Sequence, residues 1–273
     1  MTSYLEELFD VKNKNILITG AAGTLGSEFA KILSKYGANI ILVDIDKKIN
    51  QIEKSIRKTY KTNAKSYSLD ISKENEIIKL RKKVISDFKK IDGLINSAGF
   101  TNVTAIKKSQ KISVPLESFP AKFWNQMLAI NLTATFYFCR EFGSHMAKEN
   151  NGSIVNIGST YGMVGADQKI YGKSNINSPV SYAASKGGII NLTRYLAAYW
   201  EGKNVRVNTL SPGGVKDERY QTKDFIKNYS NKTILGRMAK NTDYNGAVLF
   251  LLSNASSYMT GSNLVVDGGW TAW

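Results

Sequence analysis

Short β-branched runs alternate with longer amphipathic stretches along almost the whole of this chain, and few folds accommodate that order. Asn15–Thr19 (NILIT), Asn39–Asp44 (NIILVD), Ala64–Leu69, Gly93–Ser97 (GLINS), Ser153–Gly158 (SIVNIG), Val205–Leu210 (VRVNTL) and Asn263–Val266 (NLVV) read as seven strands. Between them, Thr24–Tyr36, Lys48–Tyr60, Ser72–Lys89, Ala121–Lys148, Tyr182–Glu201 and Thr242–Leu252 carry apolar residues at helical spacing. Such alternation predicts an α/β fold, a parallel sheet covered on both faces by crossover helices. A length of 273 residues would allow two domains, but no linker or repeat interrupts the pattern and only four prolines occur. One doubly wound domain over 1–273 is expected, with a short extension at 1–13. Two connections, 100–120 and 160–180, exceed the usual two to six residues of a βα loop. Both follow strand C-terminal ends, where open α/β sheets bind ligands, so both are candidate substrate walls.

Composition removes several chemistries. The chain holds one cysteine, Cys139, and one histidine, His145, so it cannot build an internal disulfide, a Cys/His zinc cluster or a dinuclear histidine site. No metal is expected. A serine triad would depend on His145, which lies in the helical stretch Phe142–Ala147 without a serine elbow nearby and reads as a partly buried helix residue. The formal charge of +15 is concentrated between Lys47 and Lys90, where 14 basic residues meet five acidic ones. Lysine dominates there without interleaved aromatics, which reads as solvated helix surface and not as a specific nucleic-acid platform. Met1–Lys14 carries Glu6, Glu7 and Asp10 and no apolar run of signal-peptide length, and no segment approaches 18 uninterrupted apolar residues. A soluble, cytoplasmic protein without a membrane partner is the expectation, consistent with an unpaired cysteine.

The first strand runs into Thr19-Gly20-Ala21-Ala22-Gly23-Thr24-Leu25-Gly26 and then a helix. Glycines in that turn let backbone N–H groups approach a pyrophosphate, and the helix N-terminus adds partial positive charge. The second strand ends at Asp44, 18 residues after Gly26, where a carboxylate would accept hydrogen bonds from an adenosine ribose diol. The same carboxylate would repel a 2′-phosphate, so NAD is expected ahead of NADP, with Lys47 and Lys48 leaving room for dual use. Thr24 is expected to cap the helix or to bond the adenosine phosphate.

Tyr182 and Lys186 stand four apart on one helix face. With them come Asn96-Ser97-Ala98-Gly99 at the fourth strand end, Ser159 at the fifth and Pro212-Gly213 beyond the sixth. In that order, with the glycine turn, the set resembles the short-chain dehydrogenase/reductase family from Lys14 to Asp267-Gly268-Gly269. A Rossmann-like fold, an NAD or NADP cofactor and hydride transfer at a secondary alcohol or ketone are what the resemblance implies. Removing a hydroxyl proton at pH 7 with a tyrosine of pKa about 10 takes roughly 4 kcal/mol of preferential anion stabilisation, which the Lys186 ammonium and an oxidised nicotinamide can supply. Tyr182 would be the general acid/base. By resemblance, Lys186 also binds the nicotinamide ribose, Ser159 bonds the reacting oxygen, and Asn131 positions a relay water. Asp70 and Ile71 match the adenine contact, Asn96 braces the central strands, and Ser211-Pro212-Gly213-Gly214-Val215 matches the turn beside the carboxamide. Lys216-Asp217-Glu218-Arg219 departs from the family pattern after that turn, where many relatives place a threonine.

Ser159 and Tyr182 are 23 apart, and the polar run Ala166–Asn175 between them suits a polyhydroxylated or anionic ligand. A sugar or sugar phosphate with Lys169 or Lys173 near the anion is one expectation, and a surface loop without ligand contact is an equal alternative. That loop and the Gly-Gly-Trp-Thr-Ala-Trp ending resemble dehydrogenases of bacterial surface-sugar and flagellin-glycan pathways. The alternatives are a 3-oxoacyl-carrier-protein reductase and a non-catalytic dinucleotide-binding module. A homodimer or homotetramer is implied through the apolar Ala134–Phe142 and Ile189–Trp200 stretches, with Trp270 and Trp273 anchoring the end, although these groups could equally pack within one subunit. The family topology places the lysine-rich helices at the outer edge of the sheet, away from the reacting carbon.

Overall fold

The computed structural model describes residues 3–101, 113–174 and 176–273. Most of the expected substrate wall 100–120, and Asn175 in the other, lie outside the described residues. In chain order the elements are α1 (Tyr4–Leu8), β1 (Asn15–Thr19), α2 (Thr24–Lys35), β2 (Asn39–Asp44), α3 (Ile49–Tyr60), β3 (Ala64–Ser68), α4 (Glu74–Phe88) and β4 (Gly93–Asn96). A long helix over 121–148, α5, follows, then β5 (Gly152–Ile157), α6 (Val180–Tyr199), β6 (Val205–Pro212), α7 (Lys223–Asn231), α8 (Asn245–Leu252) and β7 (Asn263–Val266). The strands form one seven-stranded sheet in the order β3-β2-β1-β4-β5-β6-β7, every pairing parallel. All seven expected strands are present, with ends shifted by at most two residues.

Alternation along each strand divides the core. Ile16 and Ile18 of β1 face the layer built from Phe29, Ala30 and Leu33 of α2, Ile49 and Ile56 of α3, and Val248, Leu251 and Leu252 of α8. Leu17 between them faces the opposite layer, with Ile77, Leu80 and Val84 of α4, Phe138 and Phe142 of α5, and Leu196 of α6. Both faces are therefore closed, which a parallel sheet needs. The switch in strand order falls between β1 and β4, so their C-terminal ends open a crevice. The lysine-rich α3 and α4 flank β3, at the outer edge.

Two helices went unforeseen. Ser3 caps α1, accepting the Glu6 N–H while Glu6 accepts the Ser3 N–H, and Thr222 caps α7 by accepting from Phe225. Both are too short for a periodic signal to stand out. The helix α6 also begins earlier than expected, at Val180, with Pro179 as its N-cap. Thr24 does not cap α2; Gly23 is the N-cap and Thr24 the first helical residue, because the glycine turn itself supplies the extended backbone a cap needs.

A buried polar ladder crosses the middle of the sheet. Asn96 Nδ2 donates to Asn156 Oδ1 at 2.8 Å, Asn156 Nδ2 to Thr193 Oγ1 at 2.9 Å, and Thr209 Oγ1 to Thr193 Oγ1 at 2.8 Å. Asn96 thus braces β4 against β5, as expected. Cys139 touches the same ladder, and burial pushes its thiol up to about 12, so it stays a thiol. Asn156→Ala removes one hydrogen bond each from Asn96 and Thr193, leaving Asn96 only the weak Cys139 contact and Thr193 only Thr209, and urea unfolding should show a loss of about 2–4 kcal/mol.

Candidate active site

The glycine turn is a cradle that side chains would fill. Gly20 has φ +67°, and a Cβ there would lie 2.6 Å from Ala98 Cα, so the loops after β1 and β4 meet in direct backbone contact. A Cβ on Gly26 would come 2.2 Å from the Gly20 carbonyl oxygen, so only glycine lets the first turn of α2 sit on the strand end. Thr19 draws in the other wall, its Oγ1 accepting from the N–H groups of Ser97 and Ala98 at 3.1 Å each. Gly23 and Thr24 are exposed at the mouth, while Leu25 packs inward against the core. The Asp44 carboxylate accepts the Ala22 N–H at 2.9 Å and the Asp46 N–H at 3.0 Å, joining β2 to the turn and keeping lone pairs for a further donor. A bare backbone turn at a helix N-terminus with a half-buried carboxylate beside it fits a dinucleotide's pyrophosphate and ribose diol.

Asp70 and Ile71 follow β3, and the preceding Leu69 N–H donates to the Asp44 carbonyl. Asp70 Oδ1 accepts from both the N–H and the hydroxyl of Ser72, and Ile71 packs on the α4 layer. Beyond β6, the Gly213 N–H donates to Val266 and its carbonyl accepts the Tyr244 hydroxyl at 3.0 Å, while Val215 bridges to Ala239. Gln221 holds the Val215 carbonyl at 2.8 Å, so a glutamine supplies an anchor in the segment that departs from the family pattern.

Ser159, at the end of β5, accepts the Tyr161 N–H and is a close polar neighbour of the Tyr182 hydroxyl. Tyr182 and Lys186 lie on the first turns of α6, and Lys186 Nζ sits 5.8 Å from the Tyr182 ring centroid. The ammonium is buried and donates to the Ile157 carbonyl at 2.6 Å. Burial lowers its pKa to about 8. Burial also raises the Tyr182 phenol, with the Ser159 hydroxyl working the other way, so the chain by itself holds this proton on more firmly than free tyrosine does. Asn131 lies in a π-helical turn of α5, Ala129–Thr133. Its amide accepts the Phe100 N–H at 2.6 Å and donates to the Phe100 carbonyl at 3.1 Å and Ser185 Oγ at 3.3 Å. That side chain fastens the β4 exit loop, from Gly99 into Phe100, to the helix of Tyr182.

An aromatic cluster was not legible in advance. Tyr161, Ile170, Tyr171, Phe225, Tyr229 and Trp270 pack together and join the 160–180 loop to α7 and the chain end. Tyr229 stacks on Trp270 at 4.2 Å, and its Oη accepts the Gly214 N–H at 2.6 Å. Trp270 therefore packs within the subunit, whereas Trp273 is exposed. The polar run expected to face substrate mostly holds the loop itself: Asp167 pairs with Lys232 at 2.9 Å, and Gln168 bonds both backbone groups of Ser178. Lys169 and Lys173 are exposed. A cleft of ≈ 360 Å³ beside the loop is lined largely by apolar groups, among them Val114, Leu116, Phe119, Val180 and Ala183.

A family model described as enoyl-(acyl carrier protein) reductase matches residues 20–271. The chain is 33% identical to the NADH-dependent L-xylulose reductase of Ambrosiozyma monospora across 100% of both chains. The chain belongs to the short-chain dehydrogenase/reductase family. D-threitol dehydrogenase of Mycolicibacterium smegmatis is 31% identical over 96% of this chain and 95% of that one. A short chain dehydrogenase from Leptospira borgpetersenii serovar Hardjo-bovis, solved with bound NAD+, superposes with a TM-score of 0.84 at 34% identity, covering 99% of this chain and 96% of its own. The sequence reading of a Rossmann-like fold and an oxidoreductase of this family agrees with these findings.

Two outcomes follow from the geometry. Gly26→Ala should weaken NADH binding at least about tenfold in a fluorescence titration, since the clash is with backbone. Lys186 is a base whose pKa falls from about 10.4 unfolded to about 8 folded, so the unfolded chain binds more protons between those values and stability rises with pH across that window. Below pH 8 the full penalty is present. Lys186→Met should therefore raise Tm by roughly 5 °C at pH 7, an advantage that shrinks toward pH 10 in calorimetric scans.

Proposed function

We propose that the chain transfers hydride between NAD(P) and a secondary alcohol or ketone of a polyol or keto-sugar, with Tyr182 as general acid/base. The observation that carries this reading is that the β5–β6 connection folds back on itself, so that Ser159 at its start meets Tyr182 and Lys186 on its helix α6. With its pyrophosphate in the glycine cradle, a bound dinucleotide would supply, through its nicotinamide, the hydride acceptor for oxidation or the donor for reduction. The chain's own residues manage the proton. Ser159, already beside Tyr182, holds the reacting oxygen, and Tyr182 Oη takes its proton or returns one. Because burial keeps that phenol protonated, catalysis near neutral pH needs a cation beside it. Lys186 is that cation, and the Ile157 carbonyl holds it in place. By family resemblance Lys186 also holds the ribose hydroxyls, and Asn131 positions a relay water; its side-chain bonds support a further part, keeping the Phe100 turn in register with α6.

The cofactor neighbours in this reading are Gly20, Gly23, Thr24, Leu25, Gly26, Asp44, Asp70, Ile71, Asn96, Ala98, Gly99, Pro212, Gly213 and Val215. Asp44 favours NAD over NADP, because its carboxylate would repel a 2′-phosphate. The curated relatives are named for L-xylulose and D-threitol, a short ketose and a short polyol, which supports a polyhydroxylated substrate. The exposure of Lys169 and Lys173 favours an uncharged sugar over a sugar phosphate. A role in surface-glycan synthesis in the cytoplasm is supported by the loop and chain-end resemblance. A dimer or tetramer is supported by the exposed, stacked Tyr195 and Tyr199 on α6 and the part-exposed Phe136 on α5. The description of the matching family model favours a second reading, reduction of an acyl chain that a carrier protein holds as its thioester.

An NADH/NADPH absorbance screen over polyols, keto-sugars, sugar phosphates and acyl thioesters separates these readings. Turnover of polyols with NAD is expected, and turnover confined to thioesters would replace this reading with the second. Tyr182→Phe should lower kcat about a thousandfold while leaving NADH binding intact.

A further inference from the structure

Two phenols close to Tyr182 have no task in the chemistry above. Tyr161 and Tyr171 rise from the loop between Ser159 and Tyr182 and pack with Ile170 and Tyr229 against Trp270. The Tyr171 ring centroid is 5.1 Å from that of Phe225, and the Tyr161 ring meets Trp270 edge-on at 6.3 Å. Packing alone would be served by phenylalanine, because an enclosed hydroxyl without a partner is destabilising. Tyr229 in the same cluster has such a partner, the Gly214 N–H. Tyr161 does not: its Oη is enclosed and, among the described residues, no group reaches normal hydrogen-bond geometry, Tyr171 being a close polar neighbour. Tyr171 in turn is a close polar neighbour of Ser178, four residues before Tyr182, and lies within electrostatic reach of the Tyr182 phenol. Burial pushes Tyr171 up to about 12 and Tyr161 higher still, so both hydroxyls keep their protons at any physiological pH.

We propose that Tyr171, with Tyr161 behind it, is a specificity-determining pair that binds a substrate hydroxyl remote from the reacting carbon. The inference rests on the polyol reading and adds residues to it. A substrate hydroxyl accepts the Tyr171 proton, and Tyr161 completes its own bonding by donating to Tyr171. The three O–H groups then form a chain in which each bond polarises the next. Substrates that lack the hydroxyl leave the pair unsatisfied, which is how a site built to bond a hydroxyl rejects its deoxy analogue.

Tyr171→Phe and Tyr161→Phe keep both rings and remove only the hydroxyls. Each is compared with the unaltered enzyme for kcat/KM on the best polyol from the screen and on its deoxy analogue, with NADH binding measured as a control for folding. Tyr171→Phe should lower kcat/KM for the polyol about tenfold to a hundredfold, leave the deoxy analogue and NADH affinity unchanged, and bring the ratio between the two substrates toward one. Tyr161→Phe should act in the same direction by a smaller factor. An unchanged polyol rate, or an equal loss on both substrates, overturns the role given to the pair. If the unaltered enzyme itself shows no preference for the polyol, the polyol reading fails and the inference with it, so the wild-type ratio tells the two failures apart. If Tyr161→Phe fails to bind NADH, Tyr171→Phe alone decides.

Discussion

A parallel sheet closed on both faces leaves only its strand ends accessible, and that constraint places everything functional in this protein. All seven strands point the same way, so the glycine turn, Asp44, the Asn96–Gly99 segment, Ser159 and Pro212 emerge on one edge. The reversal of strand order between β1 and β4 then opens the crevice between their loops. Gly20 and Gly26 bring those loops within backbone contact, and Thr19 locks them by accepting two N–H groups from the far side. Losing that closeness would separate the cofactor cradle from the proton-handling residues even if each persisted.

The proton-handling end is rigid for a different reason. Lys186 is held at full burial by one backbone carbonyl, and its site exacts a desolvation penalty that lowers its pKa. Next to the residue that accepts it, Asn156 begins the polar ladder through Thr193 and Thr209, so strand β5 and helix α6 are tied together close to the Ile157 carbonyl. The π-helical turn of α5 turns Asn131 toward Phe100 and Ser185, fastening a third element to the same helix. The proton handling proposed for Tyr182 would thus depend on a scaffold of buried polar bonds, where small displacements are costly.

The residues of the proposed site were legible because each has a local signal: glycine spacing after a strand, a carboxylate at a strand end, Tyr and Lys four apart on a helix. The aromatic cluster had no such signal. Tyr161, Tyr171, Tyr229 and Trp270 come from the 160–180 loop, α7 and the chain end, and nothing periodic in the sequence links them. Polarity decided little in the same region, since the run Ala166–Asn175 suited either a ligand wall or a surface loop, and Asp167 and Gln168 within it bond Lys232 and Ser178. The desolvation of Tyr182 had no local signal either. The sequence reading counted the cations that would lower its pKa, whereas the folded chain adds a desolvation penalty that only burial reveals.

The sequence by itself determined the order of strands and helices, the parallel sheet, the cofactor cradle and the family, because periodicity and short motifs are local properties of the chain. Tertiary structure alone decided which polar groups face the crevice and which serve the fold. That partition depends on contacts between segments far apart in sequence, such as Gly214 with Tyr229 and Asp167 with Lys232, and on how much water each group loses when those segments meet.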